Sequence, residues 1–242
     1  MMYNSFTILL SASVPSEKRK EKYWKIKNAQ IQIEEAVIGL ARNTFQAGGR
    51  LIFGGHPSIS PLVAMVATEF DLNRNVEERR DGEGQKPIVI FQSRAYEEVI
   101  PQETTGLFTL GYSDIVWTDA KNGEYYLPGK ADSRQCAASL EEMRRVMIDR
   151  PIDALVCIGG MEGVEEEFRM FKERHPGKLI FLLERTGGAT RILAQEFSTE
   201  KSIRVIDRLD DDEPVRDERN EFEIIPYGYI TALIVQEIQR RR

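Results

Sequence analysis

Residues 153–168, "DALVCIGGMEGVEEEF", decide the fold class. The apolar run Ala154 to Ile158 lacks polar alternation, as a strand covered on both faces of a parallel sheet requires. Gly159 and Gly160 stop the strand, and "VEEEFRMFKE" then follows with helical spacing. The same junction poses a chemical question. Paired glycines can bare backbone N–H groups to an anion, whereas Glu165, Glu166 and Glu167 would repel one. Three readings stand side by side: a phosphate cradle, a catalytic carboxylate in a nucleotide pocket, or a tight turn into a helix whose first-turn acids suit its dipole.

The strand–helix rhythm continues in both directions. Upstream lie the strand "FTILLSAS", a helix with Ile26, Ala29, Ile33, Ala36, Val37 and Leu40 at helical spacing, and the short strand "RLIFGG". A second helix is expected with Ser60 as N-cap and Pro61 at its first position, followed by the strand "KPIVIFQS". "DIVWTDAKNGEYYL" reads as a strand or a hairpin around Asn122-Gly123. A helix from about Ser133 to Asp149 sets Leu140, Met143 and Met147 on one face. Downstream come strand "KLIFLLE", helix "ATRILAQEF", strand "IRVID" and a last helix from Tyr227 to Gln239. The alternation predicts an α/β fold: a Rossmann-like, doubly wound, mainly parallel sheet with helices on both faces, in a single domain spanning residues 1–242.

Residues 73–86 and 208–221 read as solvated loops inside that domain. Asp210, Asp211, Asp212 and Glu213 lack the loop geometry that converges adjacent acids on one ion, so no metal site is expected. The net charge of −6 and a pI near 5.3 argue against a broad nucleic-acid surface. Two cysteines, Cys136 and Cys157, are too few for a disulfide framework, and Cys157 belongs to an apolar run that predicts burial. The amino terminus lacks the positive region of a signal peptide, and no window approaches the roughly 18 apolar residues of a membrane span. The cytoplasm is the expected location, with no membrane partner.

Four strand ends run into small polar or glycine residues: "LLSASVP", "IFGGHPSISP", "CIGGMEG" and "LLERTGGAT". A parallel sheet gathers all strand C-termini on one rim, where helix N-termini offer N–H groups and glycine lets a ligand approach the backbone. Candidate ligand-binding residues are therefore Ser11, Ala12, Ser13, Gly54, Gly55, His56, Ser93, Arg94, Gly159, Gly160, Met161, Glu162, Gly163, Thr186, Gly187 and Gly188. Each has a structural alternative. His56 either meets a ligand or staples its loop. Arg94 either pairs a phosphate or forms an ion pair with Glu97 or Glu98. Trp24 and Trp117 read as packing aromatics, and His175 as a partner for a helix C-terminus. No G-x-x-x-x-G-K-[ST] occurs, and Ile158 occupies the first position needed for G-x-G-x-x-G, which disfavours an ATPase or a conventional NAD dehydrogenase. No bound cofactor is expected.

Taken in order, "SASVP", "FGGHPSISPLV", "CIGGMEGVEEEF" and "ERTGGATRIL" resemble the SLOG superfamily, named for the Smf/DprA DNA-processing protein and the LOG (lonely guy) phosphoribohydrolases. The resemblance spans about Leu9 to Ile192 and is nearest to SLOG domains of bacterial conflict systems that accompany TIR or sirtuin-like effectors. It implies a Rossmann-like domain that binds a nucleotide-derived small molecule such as an ADP-ribose relative, as a sensor in antiphage defence. The expected partners are that ligand, a second copy of the chain in a homodimer and a separate effector protein. The rival expectation is an N-glycosidase. The LOG pattern G-G-x-G-T-x-x-E, laid on Gly159 and Gly160 without a gap, places its catalytic glutamate at Glu166; one inserted residue restores Gly163 and moves the match to Glu167.

Overall fold

The computed structural model describes residues 5–15, 21–23, 29–70, 86–128, 136–206, 215–217 and 222–242. The unalternated apolar runs become the interior strands: β5 (Ala154–Gly159) and β6 (Leu179–Leu183) are buried at every position. With β1 (Thr7–Ser13), β2 (Arg50–Gly54), β3 (Ile88–Ser93), β4 (Ser113–Thr118) and β7 (Ile203–Val205) they form one seven-stranded sheet. Its order is β4-β3-β2-β1-β5-β6-β7, and every pairing is parallel. The fold is Rossmann-like α/β, as the strand–helix alternation predicts.

Helices cover both faces. On one side α1 (Ala29–Gln46), α2 (Ser60–Glu69), α3 (Gln102–Thr109) and α7 (Tyr227–Arg240) bury Ile33, Leu40, Val63, Leu107 and Ile234 against the sheet. On the other, α4 (Ala137–Ile148), α5 (Glu162–Arg174) and α6 (Gly188–Phe197) bury Met147, Phe168, Phe171 and Leu193. The chain walks from β1 to β4 at one edge, then α4 carries it back to β5 beside β1. The order reverses there, so the loops after β1 and β5 leave toward opposite faces and open a crevice between them. Register sets Ser11 beside Cys157 and Ser13 beside Gly159 at its mouth.

Three local expectations are narrowed or corrected. Ser60 is the first residue of α2 rather than its cap; Ile59 holds the cap position, and the buried Ser60 hydroxyl accepts a hydrogen bond from Thr104 Oγ1 at 2.9 Å, tying α2 to α3. Of the two readings of "DIVWTDAKNGEYYL", the strand forms as β4 and the hairpin around Asn122-Gly123 does not. Both residues take positive φ, but the turn delivers Glu124, whose carboxylate accepts the Ala138 and Ser139 N–H groups at 3.2 and 2.7 Å and so caps α4 instead of starting a return strand. Val215–Asp217 (β8), inside the stretch 208–221 expected to be loop, pairs antiparallel with Phe222–Ile224 (β9) just beyond it. Trp24, Ile26, Ser133 and the acids at 210–213 lie outside the described residues. Among those described, no helix is long and apolar enough to cross a membrane, and no three His, Cys, Asp or Glu side chains gather as a metal site.

Candidate ligand-binding site

The glycine junctions first settle how the rim is built. Gly159 N–H donates to Thr186 Oγ1 at 2.7 Å, and Gly160 N–H donates to the Ser13 carbonyl at 2.7 Å. The carbonyls are engaged as well, accepting from Thr190 Oγ1 at 2.9 Å and Ala189 N–H at 2.9 Å. Gly160 and Gly188 sit at φ +85° and +58°; an added Cβ would stand 2.2 Å from Val164 Cγ2 and 2.4 Å from the Gly160 carbonyl oxygen, respectively. Two glycine loops are thus pressed backbone to backbone. Of the three readings of this junction, the tight turn accounts for the Gly159 and Gly160 N–H groups: both are donated within the protein, where the loops need each other's polar groups to close.

A cavity of about 430 Å³ opens beside this turn, on the α4–α5 side of the crossover. Ala12 and Ser13 from β1, Gly54 at the end of β2 with Gly55 and His56 just after it, and Met161, Gly163 and Glu167 at and after the cap of α5 line it. Gln92 from β3, Met143 and Arg144 from α4, and the rings of Tyr96 and Tyr126 complete the wall. The two tyrosines stack on each other, with centroids 4.9 Å apart and planes 26° off parallel.

Its polar end is built by α5. The three consecutive glutamates point to three different tasks, since a helix turns each residue by about 100°. Glu165 is buried and accepts from the Tyr23 hydroxyl and from Lys22 Nζ, each at 2.9 Å, fastening the amino-terminal segment to α5. Burial, then the Glu165 hydrogen bond, pushes the Tyr23 hydroxyl far above its ordinary pKa. Glu166 is half exposed and pairs with Arg144. Glu167 faces the cavity, with its side chain 13 % exposed. It accepts from Ser11 Oγ at 2.5 Å and lies 3.5 Å from Arg144 Nε. Burial raises the Glu167 carboxyl above the ordinary range, while Arg144 and the Ser11 hydroxyl pull the other way. Arg144 Nε is buried with no hydrogen-bond partner. A Cβ on Gly163 would meet Arg144 Nη2 at 2.8 Å, so this glycine makes room for the guanidinium.

A family model described as the SLOG cluster3 family matches residues 22–210. The chain belongs to the SLOG cluster3 family. A crystal structure titled as that of TM1055, a structural genomics target, is 17% identical to this SLOG chain and covers 97% of it and 99% of its own length, with a TM-score of 0.47. No curated protein matches.

In this SLOG protein the expected site residues divide. Ala12, Ser13, Gly54, Gly55, His56, Met161 and Gly163 line the cavity, and Ser11 touches it through Glu167. Gly159, Gly160, Thr186, Gly187 and Gly188 build the turn behind it, and Glu162 begins α5 outside the lining. Ser93 accepts the Ala95 N–H at 3.2 Å, starting the next turn. Arg94 pairs with Glu97 at 3.0 Å and lies over the Trp117 ring, which is the ion-pair alternative. His56 Nδ1 accepts from the Ser58 N–H at 3.2 Å, so His56 staples its loop as well as lining the cavity. His175 ends α5 with Nε2 2.6 Å from the Ile148 carbonyl. Of the residues the sequence reading missed, Arg144 left a signal: it falls four residues after Leu140 and three before Met147, a charge inside an apolar helix face. Tyr96 and Tyr126 left none, because loop aromatics carry no periodicity.

Proposed function

We propose that this SLOG protein binds a nucleotide-derived small molecule, an ADP-ribose or cyclic-nucleotide relative, at the C-terminal rim of the sheet. The supporting observation is the cavity at the crossover, which joins a part-buried Arg144–Glu167 pair to an aromatic wall. Its volume falls within the range of small-molecule sites. Arg144 offers a charged donor to a phosphate or hydroxyl, and Ser13 and Glu167 suit ribose hydroxyls. The whole chain, residues 1–242, then serves as one ligand-binding domain, acting in the cytoplasm as a homodimer. It signals to a separate effector in bacterial antiphage defence, in the manner of the SLOG domains that accompany TIR or sirtuin-like effectors. Mass spectrometry of the denatured protein should reveal a co-purified nucleotide. NAD, ADP-ribose, its cyclic isomers or AMP should raise the melting temperature by mass action, and no shift with any of them at about millimolar concentration overturns the reading.

One observation favours a second reading, N-glycosidic cleavage. Glu167 is a cavity carboxyl whose burial favours the protonated form. Such a group can protonate a departing base while water attacks the sugar carbon, or stabilise the oxocarbenium charge once ionised. The half-exposed Glu166 lacks that setting, so the role falls to Glu167 of the inserted alignment. Free base released by the wild type and absent with Glu167→Gln supports cleavage; release that survives the substitution removes Glu167 from the chemistry.

A further inference from the structure

We infer that Gln92, together with the Tyr96–Tyr126 stack, forms a nucleobase subsite within this cavity, an inference that rests on the proposed nucleotide reading. Gln92 is 8% exposed and lies in the cavity wall. Its carboxamide borders open space that a ligand can fill, and a ligand that shields it from water must offer it hydrogen bonds. The loop of β2 is shaped around it. A Cβ on Gly55 would stand 3.0 Å from Gln92 Oε1 and 3.2 Å from Ile90 Cγ2, so glycine at this position leaves the amide its place.

A carboxamide presents one donor and one acceptor side by side. A nucleobase edge presents the complementary pair, as when glutamine reads the amino and ring-nitrogen positions of adenine. The neighbouring wall fits the rest of such a ring. Tyr96 and Tyr126 line the same cavity and are already stacked, with Val99, Leu140 and Met143 alongside, so a flat heteroaromatic meets aromatic and apolar surface while its edge reaches Gln92. The charged groups, Arg144 and Glu167, stand on α4 and α5, on other elements than Gln92. The cavity therefore sorts its ligand, with base toward β3 and sugar or phosphate toward α5.

Calorimetric titration of AMP, ADP-ribose and ribose 5-phosphate into the wild type, Gln92→Leu and Tyr126→Leu tests this. Leucine removes the amide at nearly constant volume, and Tyr126 is only half buried, so both variants are expected to fold. The wild type should prefer AMP to ribose 5-phosphate, and each variant should lose about tenfold in AMP affinity while ribose 5-phosphate stays within about twofold. Equal losses for AMP and ribose 5-phosphate, or no loss for either, overturn the subsite. A wild type that binds ribose 5-phosphate as tightly as AMP does the same and leaves the proposed function standing. A wild type that binds none of the three overturns the subsite, and one that also fails to bind NAD and the cyclic isomers of ADP-ribose removes the proposed function with it.

Discussion

Gly188→Ala gives a direct measure of how tightly the two glycine loops are pressed together. A Cβ at this position meets the Gly160 carbonyl oxygen at 2.4 Å, Gly159 C at 2.9 Å and Gly160 N at 3.0 Å, all backbone atoms that cannot rotate aside. Holding alanine at φ +58° costs about 1–2 kcal/mol by itself. Moving the loops apart also weakens the bonds from Ala189 N–H to Gly160, from Thr190 to Gly159 and from Gly159 N–H to Thr186, by about 2–3 kcal/mol together. The sum is roughly 3–5 kcal/mol, a large part of the ~5–15 kcal/mol that holds a typical domain. At about 2–4 °C per kcal/mol for a chain of this size, the melting temperature should fall by roughly 6–20 °C. Gly177→Ala isolates the backbone strain, since Gly177 has φ +82° and nothing within 4 Å of an added Cβ. Urea denaturation of both variants should show Gly188→Ala the worse by about 2–3 kcal/mol. Equal losses would refute the argument. A stable Gly188→Ala protein that had lost only ligand affinity would return these glycines to an anion-binding role.

Four further outcomes follow from the same geometry. Gly163→Ala should leave stability unchanged or slightly raised, because alanine suits a helix, yet weaken nucleotide binding by displacing the Arg144 tip it would meet at 2.8 Å; a thermal-shift series with unchanged ligand response would disprove this. Glu165→Ala leaves the buried Tyr23 hydroxyl without its acceptor and should cost about 1–3 kcal/mol in urea denaturation, whereas an unchanged midpoint would show the Tyr23–Glu165 fastening to be idle. The raised Glu167 carboxyl makes the folded state hold its proton longer than the unfolded chain. Its contribution is full below the ordinary carboxylate pKa and is lost as pH rises through the raised value, so Glu167→Gln should gain on the wild type from acid toward neutral pH; a gap moving the other way contradicts the assignment. With a pI near 5.3, affinity for single-stranded DNA at physiological salt should be weak, and tight, steeply salt-dependent binding in a fluorescence titration would revive a Smf/DprA-type role.

The parallel sheet and its two helical layers were readable from the sequence because they follow from local rules. Runs such as "ALVCI" and "LIFLL" can be buried on both faces only as inner strands, and helices must then cover them. The gathering of the strand-end loops on one rim follows from that topology without any coordinates. The duties of individual rim residues do not. Gly159 and Gly160 look like an anion cradle in sequence, and only the approach of the β6–α6 loop, from 27 or more residues downstream, shows their N–H and carbonyl groups already engaged. Likewise three adjacent glutamates are equivalent on paper. Glu165 meets Tyr23 from 142 residues away, Glu166 pairs with Arg144 at the surface, and Glu167 meets Ser11 across 156 residues inside the cavity. Local sequence determines which residues stand at a strand end or on a helix turn, whereas the partner that defines each one's chemistry arrives through long-range packing, which no local pattern encodes.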